Sequence, residues 1–162
     1  MEYRHLCRAK RTDNGEWVEG FYFCMTHPEG RYMHHFIIPV GADLSLGTPI
    51  ENIQVEVDSD TICWCTGLKD NNEKLIWEND IVKCKYGKAI VKWGEGEWKI
   101  EWIEGQIWRK DLFFWSIEGQ GYRKDLSFWS MGDVDLKIIG NEFDNPELLN
   151  VYETVNVIIG GK

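Results

Sequence analysis

Residues 81–103 read IVKCKYGKAIVKWGEGEWKIEWI. Three strand-length segments, 81–86, 89–93 and 98–103, are separated by Tyr86-Gly87-Lys88 and Gly94-Glu95-Gly96. Glycine with small polar neighbours supplies tight reversals, so the stretch reads as an antiparallel meander. That sets the expected fold class: mainly β, a small antiparallel sheet or partly open barrel built from hairpins and a meander, with short helical turns.

The meander runs directly into a tandem copy. Residues 103–116 read IEGQIWRKDLFFWS and residues 117–130 read IEGQGYRKDLSFWS, identical at eleven of fourteen positions with no gap between them. An even offset keeps every side chain on its face if the segment is extended. Fourteen residues is also close to four helical turns, so parity alone does not choose. Gly105, Gly119 and Gly121 oppose a helix, while Ile107, Phe113, Phe114 and Trp115 favour a sheet. Trp108, Leu112 and Trp115 lie at i, i+4 and i+7, as do Tyr122, Leu126 and Trp129. Each copy is therefore expected to be a short strand followed by one helical turn. Two units are too few for a solenoid. The simpler origin is an in-frame duplication that extends one loop or hairpin.

Upstream, residues 3–10 and 16–25 read as strands, and Asn14-Gly15 between them predicts a type I′ hairpin turn. Further strands are expected at 32–40, 53–57 and 62–65, with a polar turn at 67–74 that includes Gly67 and Asp70. Downstream, 138–142 is another strand containing Gly140. Asn145-Pro146-Glu147 is a helix start in which Asn145 caps and Pro146 takes the first helical position. Residues 151–159 alternate Val151, Val155, Val157 and Ile159 as a last strand. An apolar terminal strand needs a sheet edge, its own or a neighbour's, which points to a homo-oligomer. Three regions follow: 1–58, an N-terminal β region; 59–150, a C-terminal meander or barrel region holding the duplication; and 151–162, the final strand and tail. All three are expected to form one compact unit.

Eighteen basic and 27 acidic residues leave a formal charge of −9. That opposes non-specific nucleic-acid binding, which needs a cationic footprint. The local clusters Arg8, Lys10, Arg11 and Arg109, Lys110, Arg123, Lys124 are first read as solvated faces. No apolar run is long enough to span a bilayer, and residues 1–11 lack the apolar middle of a secretory signal. A cytoplasmic protein is expected. Five cysteines, an odd number, fit free thiols in a reducing compartment. Nine tryptophans, most of them between 64 and 129, suggest a sheet with a wide aromatic core.

The sequence carries few chemical motifs. Cys63-Trp64-Cys65 places two thiols on one strand face, with His27, His34 and His35 upstream, but a C-x-C pair on an extended strand is a poor zinc chelate. His5 beside Cys7, or His35 near Cys24, could activate a thiol. Glu78 and Asp80 could pose as paired carboxylates, though a solvated edge beside a turn is the simpler account. No phosphate-binding loop, nucleophile elbow or dinucleotide fingerprint is present. No catalytic residue, metal or cofactor is expected.

Several blocks together resemble the YopX family of phage and prophage proteins. Arg8-Ala9-Lys10-Arg11 with Asp13-Asn14-Gly15-Glu16-Trp17-Val18 and Gly20 resembles the family opening, and His35-Phe36-Ile37-Ile38-Pro39 a second block. The strongest block is Asp60-Thr61-Ile62, then Thr66-Gly67-Leu68-Lys69-Asp70, running on through Ile76-Trp77-Glu78-Asn79-Asp80-Ile81-Val82-Lys83. Ile139-Gly140-Asn141-Glu142-Phe143-Asp144-Asn145-Pro146-Glu147-Leu148-Leu149 resembles the closing signature. The resemblance implies a mostly β fold encoded by a bacteriophage or prophage, and it implies no activity, substrate or catalytic residue. Its Gly, Asp and Asn positions read as turn chemistry. The chain departs from the family where glycine is usual, at Glu73 and Asn79. Asn79 tolerates positive φ, so that turn is expected to persist, whereas the turn at Glu73 is expected to change type. Cys65 stands where the family often has an aromatic residue, and the second repeat copy is extra.

Three functions compete, in this order. The first is an interaction module for an unknown host or phage protein, in which an acidic surface with aromatics recognises basic or proline-rich segments. The second is an accessory single-stranded nucleic-acid-binding protein using Trp108, Arg109, Lys110, Trp115, Tyr122, Arg123, Lys124 and Trp129, where cations interleave with rings that can stack bases. An enzyme ranks third. No membrane association is expected.

Overall fold

The computed structural model describes residues 5–105, 125–127 and 135–150. The chain divides into two compact units, Met1–Glu78 and Asn79–Lys162. Each carries one antiparallel sheet, and neither sheet closes into a barrel. The first unit takes in residues 59–78, which the sequence reading grouped with the meander. The physical reason is pairing: this stretch supplies two strands that extend the N-terminal sheet. The final strand expected at 151–159 lies outside the described residues.

The first sheet has the order β4-β3-β2-β1-β5-β6. Its strands are β1 (Cys7–Lys10), β2 (Trp17–Thr26), β3 (Met33–Pro39), β4 (Val55–Glu56), β5 (Cys63–Lys69) and β6 (Leu75–Trp77). Beyond β4 the chain returns to β1. The Val57 amide donates to the His35 carbonyl, the Asp58 amide donates to the Lys10 carbonyl, and Arg11 bridges Val57. The sheet therefore bends back on itself without closing. Cys7, Ala9, Ile37 and Val57 form the core inside the bend, with Val18, Tyr22, Val55 and Ile62 packed against them.

The β1–β2 reversal differs from expectation. Only Gly15 of the pair Asn14-Gly15 has positive φ, +73°, so this is not a type I′ turn. The Arg11 amide donates to the Glu16 carbonyl at 2.9 Å, spanning a loop of residues 12–15. The Asn14 side chain locks it, with Oδ1 accepting from the Glu16 amide at 2.9 Å. Strand 53–57 shrinks to Val55–Glu56 because Ile50–Asn52 forms a 3-10 turn whose bonds reach Ile53 and Gln54. Gly67, at φ +75°, sits inside β5 rather than in a turn, where the pairing with β6 slips register between Cys65 and Lys69. A left-handed glycine at such a bulge gives the strand its extra residue.

The β5–β6 turn is organised by buried Asp70. Its Oδ1 accepts from the amides of Asn72 (2.8 Å) and Lys74 (3.0 Å), while its own amide donates to the Lys74 carbonyl. Glu73 in this turn has φ +62°, and Asn79 has φ +64°. Both therefore hold the left-handed conformation that glycine would adopt freely. The persistence expected at Asn79 is observed, and the change of turn type expected at Glu73 is not, because the Asp70 side chain imposes the turn. Glu73→Gly should then stabilise the protein by about 1 kcal/mol, the cost of a left-handed L-residue. The exposed Lys69–Glu73 pair that is lost contributes little. A urea melt checks this; a less stable variant would contradict it.

The second sheet has the order β10-β7-β8-β9. Here the meander is as read: β7 (Asp80–Cys84), β8 (Gly87–Gly94) and β9 (Glu97–Gly105), with β10 (Lys137–Asn141) added beside β7. Ile81, Val82, Ala89, Ile90, Val91, Ile100, Leu126 and Leu136 are buried in this unit. The helix expected after Asn145 is a 3-10 turn, Pro146–Leu149, with Pro146 in its first turn.

Among the described residues the expected wide aromatic core is not found. Of the six tryptophans among the described residues, only Trp77 is buried, while Trp64 and Trp93 are exposed. Aliphatic residues and cysteines fill the core instead. Aromatic residues fit a half-buried pleated surface as readily as an interior, so composition alone did not place them.

Candidate protein-binding face

Strand periodicity puts alternate residues of β2 on opposite faces. Tyr22 and Cys24 pair with Ile37 and His35 on the core side, whereas Phe21, Phe23 and Met25 pair with Ile38, Phe36 and His34 on the other. That outer face is open: Phe21 is 50 % exposed and Met25 44 %.

Its rings form a continuous ladder. Phe23 stacks on Phe36 with centroids 5.4 Å apart. Phe36 stacks on His34 at 6.0 Å. His34 meets Tyr32 edge-on at 5.3 Å, and Tyr32 stacks on His27 at 4.3 Å. Offset and edge-to-face contacts of this kind add roughly 0.5–1.5 kcal/mol each beyond area burial, so the ladder is pre-organised. Carboxylates border it. Glu56 lies opposite Phe36 on β4, with its Oε1 2.7 Å from His34 Nδ1. Glu19 extends the Phe21 side of β2 and is exposed.

The ladder leads to a cleft of about 510 Å³, which shares His34 and Glu56 with it and is also lined by Lys10, Arg11, His35 and Asp58. The cations there are already engaged. Asp13 holds Arg11 through two contacts, 2.9 and 2.6 Å, which raises the guanidinium's pKa and lowers that of Asp13. Lys10 lies 5.6 Å from the Trp17 centroid. Arg8 is packed between Trp17, at 4.8 Å, and Trp77, at 5.4 Å. Cation-on-ring packing is thus a recurrent contact of this unit.

Phe21 and Phe23 lie in the expected strand 16–25, and the open face they share was not expected from it. The signal was Phe21-Tyr22-Phe23, apolar on both faces of a strand when one face suffices for a core. The eight aromatic and basic residues singled out in the repeats, Trp108, Arg109, Lys110, Trp115, Tyr122, Arg123, Lys124 and Trp129, lie outside the described residues.

The residues read as turn chemistry in the second unit form a polar cluster. Buried Asp80 pairs across the strands with buried Asn141. Asn141 Oδ1 accepts from the amides of Phe143 (2.9 Å) and Asp144 (3.0 Å), and its Nδ2 donates to Asp144 Oδ2 at 2.8 Å. Lys92 Nζ donates to Asn79 Oδ1 and Glu142 Oε2, both at 2.7 Å. Asn145 does not cap the following turn; its Oδ1 accepts from the Asn141 amide at 3.3 Å. That inward bend needs Gly140, since a Cβ there would lie 2.8 Å from Asn145 Cγ. The cluster binds β7, β8 and the turn after β10 together, which is a structural task.

All five cysteines are free, and four of them are buried. Burial, then the neighbouring Cys63, pushes the Cys7 thiol up to about 12, which makes it a poor nucleophile despite His5 nearby in sequence. Cys24 is exposed and pairs across strands with His35, whose Nδ1 lies 2.7 Å from the Tyr22 hydroxyl. Burial, followed by the Cys24 contact, raises the Tyr22 hydroxyl. Cys63 and Cys65 are both buried on one face of β5, while Trp64 between them is exposed. Among the described residues no three His, Cys, Asp or Glu side chains converge as metal ligands. Glu78 Oε2 accepts from the Trp64 amide at 3.4 Å, and Asp80 is buried at the start of β7. No described helix is long and apolar enough to cross a membrane.

Fold and face together define a two-sheet, all-antiparallel β protein with an open aromatic surface on its N-terminal sheet. The family model described as YopX protein matches residues 8–150, and the chain belongs to the YopX family. Among solved structures the chain is similar to protein EF1440 from Enterococcus faecalis, with 23 % identity and a TM-score of 0.42, covering 89 % of this chain and 96 % of that one. No curated protein matches the chain.

Proposed function

We propose that this chain is a non-enzymatic interaction module, encoded by a phage or prophage and acting in the cytoplasm of a bacterial host. Its partner is a host or phage protein that presents a basic, extended segment to the outer face of β2 and β3. The observation that carries this reading is the half-buried ring ladder of Phe23, Phe36 and His34 that ends at exposed Tyr32, with exposed Phe21 beside it on the same face. Ring faces attract guanidinium and ammonium groups by about 0.5–2 kcal/mol each, more as water is excluded. The bordering Glu19 and Glu56 and the net charge of −9 favour a cationic partner over an anionic one.

The test is an NMR titration with an unstructured peptide rich in Arg and Lys, run beside an oligothymidylate single strand. The peptide should shift resonances of β2 and β3, with affinity falling as salt rises. Replacing exposed Phe21 and Tyr32 together by alanine should weaken it by roughly tenfold, from two ring contacts of this strength. An unchanged affinity, or an oligonucleotide that occupies the face in preference to the peptide, would overturn the proposal.

A further inference from the structure

β9 is the outer strand of the second sheet, nine residues long, and pairs with β8 along its inner side. An edge of that length invites pairing unless something covers it. Among the described residues, what reaches its outer side comes from the second repeat copy. Lys99, which pairs with Lys92 on the inner side, bridges Asp125 on the outer side. The next residue, Leu126, is fully buried, and Ser127 is exposed.

The first copy holds the same sequence fourteen residues earlier. Asp111 and Leu112 repeat Asp125 and Leu126, within the octets RKDLFFWS at 109–116 and RKDLSFWS at 123–130. The octets differ at a single position, Phe113 against Ser127. That difference falls where the seated copy is exposed. Ser127 Oγ donates to Asp125 Oδ1 at 2.7 Å. A larger residue at the position therefore meets solvent rather than the core, and the buried leucine and bridging aspartate are the same in both copies.

We infer that the outer edge of β9, with the seat that buries Leu126, is a docking surface for the repeat motif, and that the chain carries two interchangeable occupants for it. On this inference the motif centred on Leu112 can take the place of 125–127, and an exchange of the two leaves the edge equally covered. This inference stands apart from the aromatic face of the first sheet.

Two measurements test it. Thermal melts are compared for Leu112→Ala, Leu126→Ala and the double variant. Each single variant keeps one intact occupant and should melt within about 2 °C of the parent, while the double variant should fall by roughly 5 °C or more. A Leu126→Ala loss equal to that of the double variant, with Leu112→Ala silent, would overturn the inference. A cross-link keeps the question open to disproof even if the double variant fails to fold. In a Cys24→Ser background, Lys99→Cys is paired with Asp111→Cys or with Asp125→Cys under mild oxidation. Both pairs should form mapped disulfides, the first within one chain or between two copies. A cross-link from the Asp125→Cys pair alone would end the idea.

Discussion

Gly20→Ala is expected to destabilise the protein by about 3 kcal/mol, the upper end of the usual cost of overpacking a core. Gly20 is buried within β2, opposite Pro39 on β3 and beside Cys7 on β1. A Cβ at this position would stand 2.7 Å from the Ile38 carbonyl carbon, closer still to its oxygen, and 2.8 Å from Ile37 Cγ2. Two of these are backbone atoms, so no side-chain rotation relieves the clash. The β2–β3 ladder must shift, and it carries both the core residue Ile37 and the outer rings. Urea denaturation against the parent and against Glu19→Ala, an exposed neighbour, measures the loss. A Gly20→Ala cost below about 1 kcal/mol would mean that β3 does not approach β2 so closely.

The second large effect is alkaline. Cys7 lies at the centre of the first unit's core, and its thiol is raised from 9.0 to about 12, chiefly by burial. Below pH 9 both the folded and the unfolded chain hold the proton, so the contribution is fully present. Between pH 9 and about 12 the unfolded chain releases a proton that the folded chain keeps. Stability therefore falls as pH rises, by at most about 1.4 kcal/mol per pH unit from this group. Tyrosines and lysines titrate in the same range, so the comparison is with Cys7→Ala. The variant should be less stable than the parent at pH 8, where a packed side chain is missing, and the gap should narrow by roughly 2 kcal/mol by about pH 10.5. Parallel curves would show that Cys7 ionises as easily folded as unfolded.

Much of the fold was legible because its signals are local. The meander's strands and its two Gly-containing reversals are stated by neighbouring residues, and β7, β8 and β9 fall where periodicity put them. The turn residues were also visible. Asp70 and Asn141 each satisfy amides two to four residues away, a contact that sequence proximity alone can arrange. The errors arose where a local signal has more than one solution. Asn14-Gly15 permits several reversals, and the Asn14 contact to Glu16 selected a four-residue loop. Asn145-Pro146 permits a capped helix, but the Asn145 side chain found the Asn141 amide instead.

The aromatic face was hidden for a different reason. Alternation along β2 separates Phe21 and Phe23 from Tyr22, but it does not say which set a neighbouring element will cover. That was decided when residues 55–58 crossed to β1 and the sheet bent around Cys7, Ala9, Ile37 and Val57, leaving the other side open. The ladder needs Phe23 beside Phe36 and His34 beside Tyr32, contacts fixed by the β2–β3 register and the loop between them.

By itself, then, the sequence determined an antiparallel β protein, the place of most strands and turns, the acidic charge and the membership of a family. These follow from short-range sterics, from side-chain bonds to nearby amides and from composition. Tertiary structure alone decided that the described tryptophans stay largely out of the core, that residues 59–78 join the first sheet, and that 125–127 meet the edge of β9. Each of these depends on which distant surfaces pair, and burial free energy is settled between surfaces rather than along the chain.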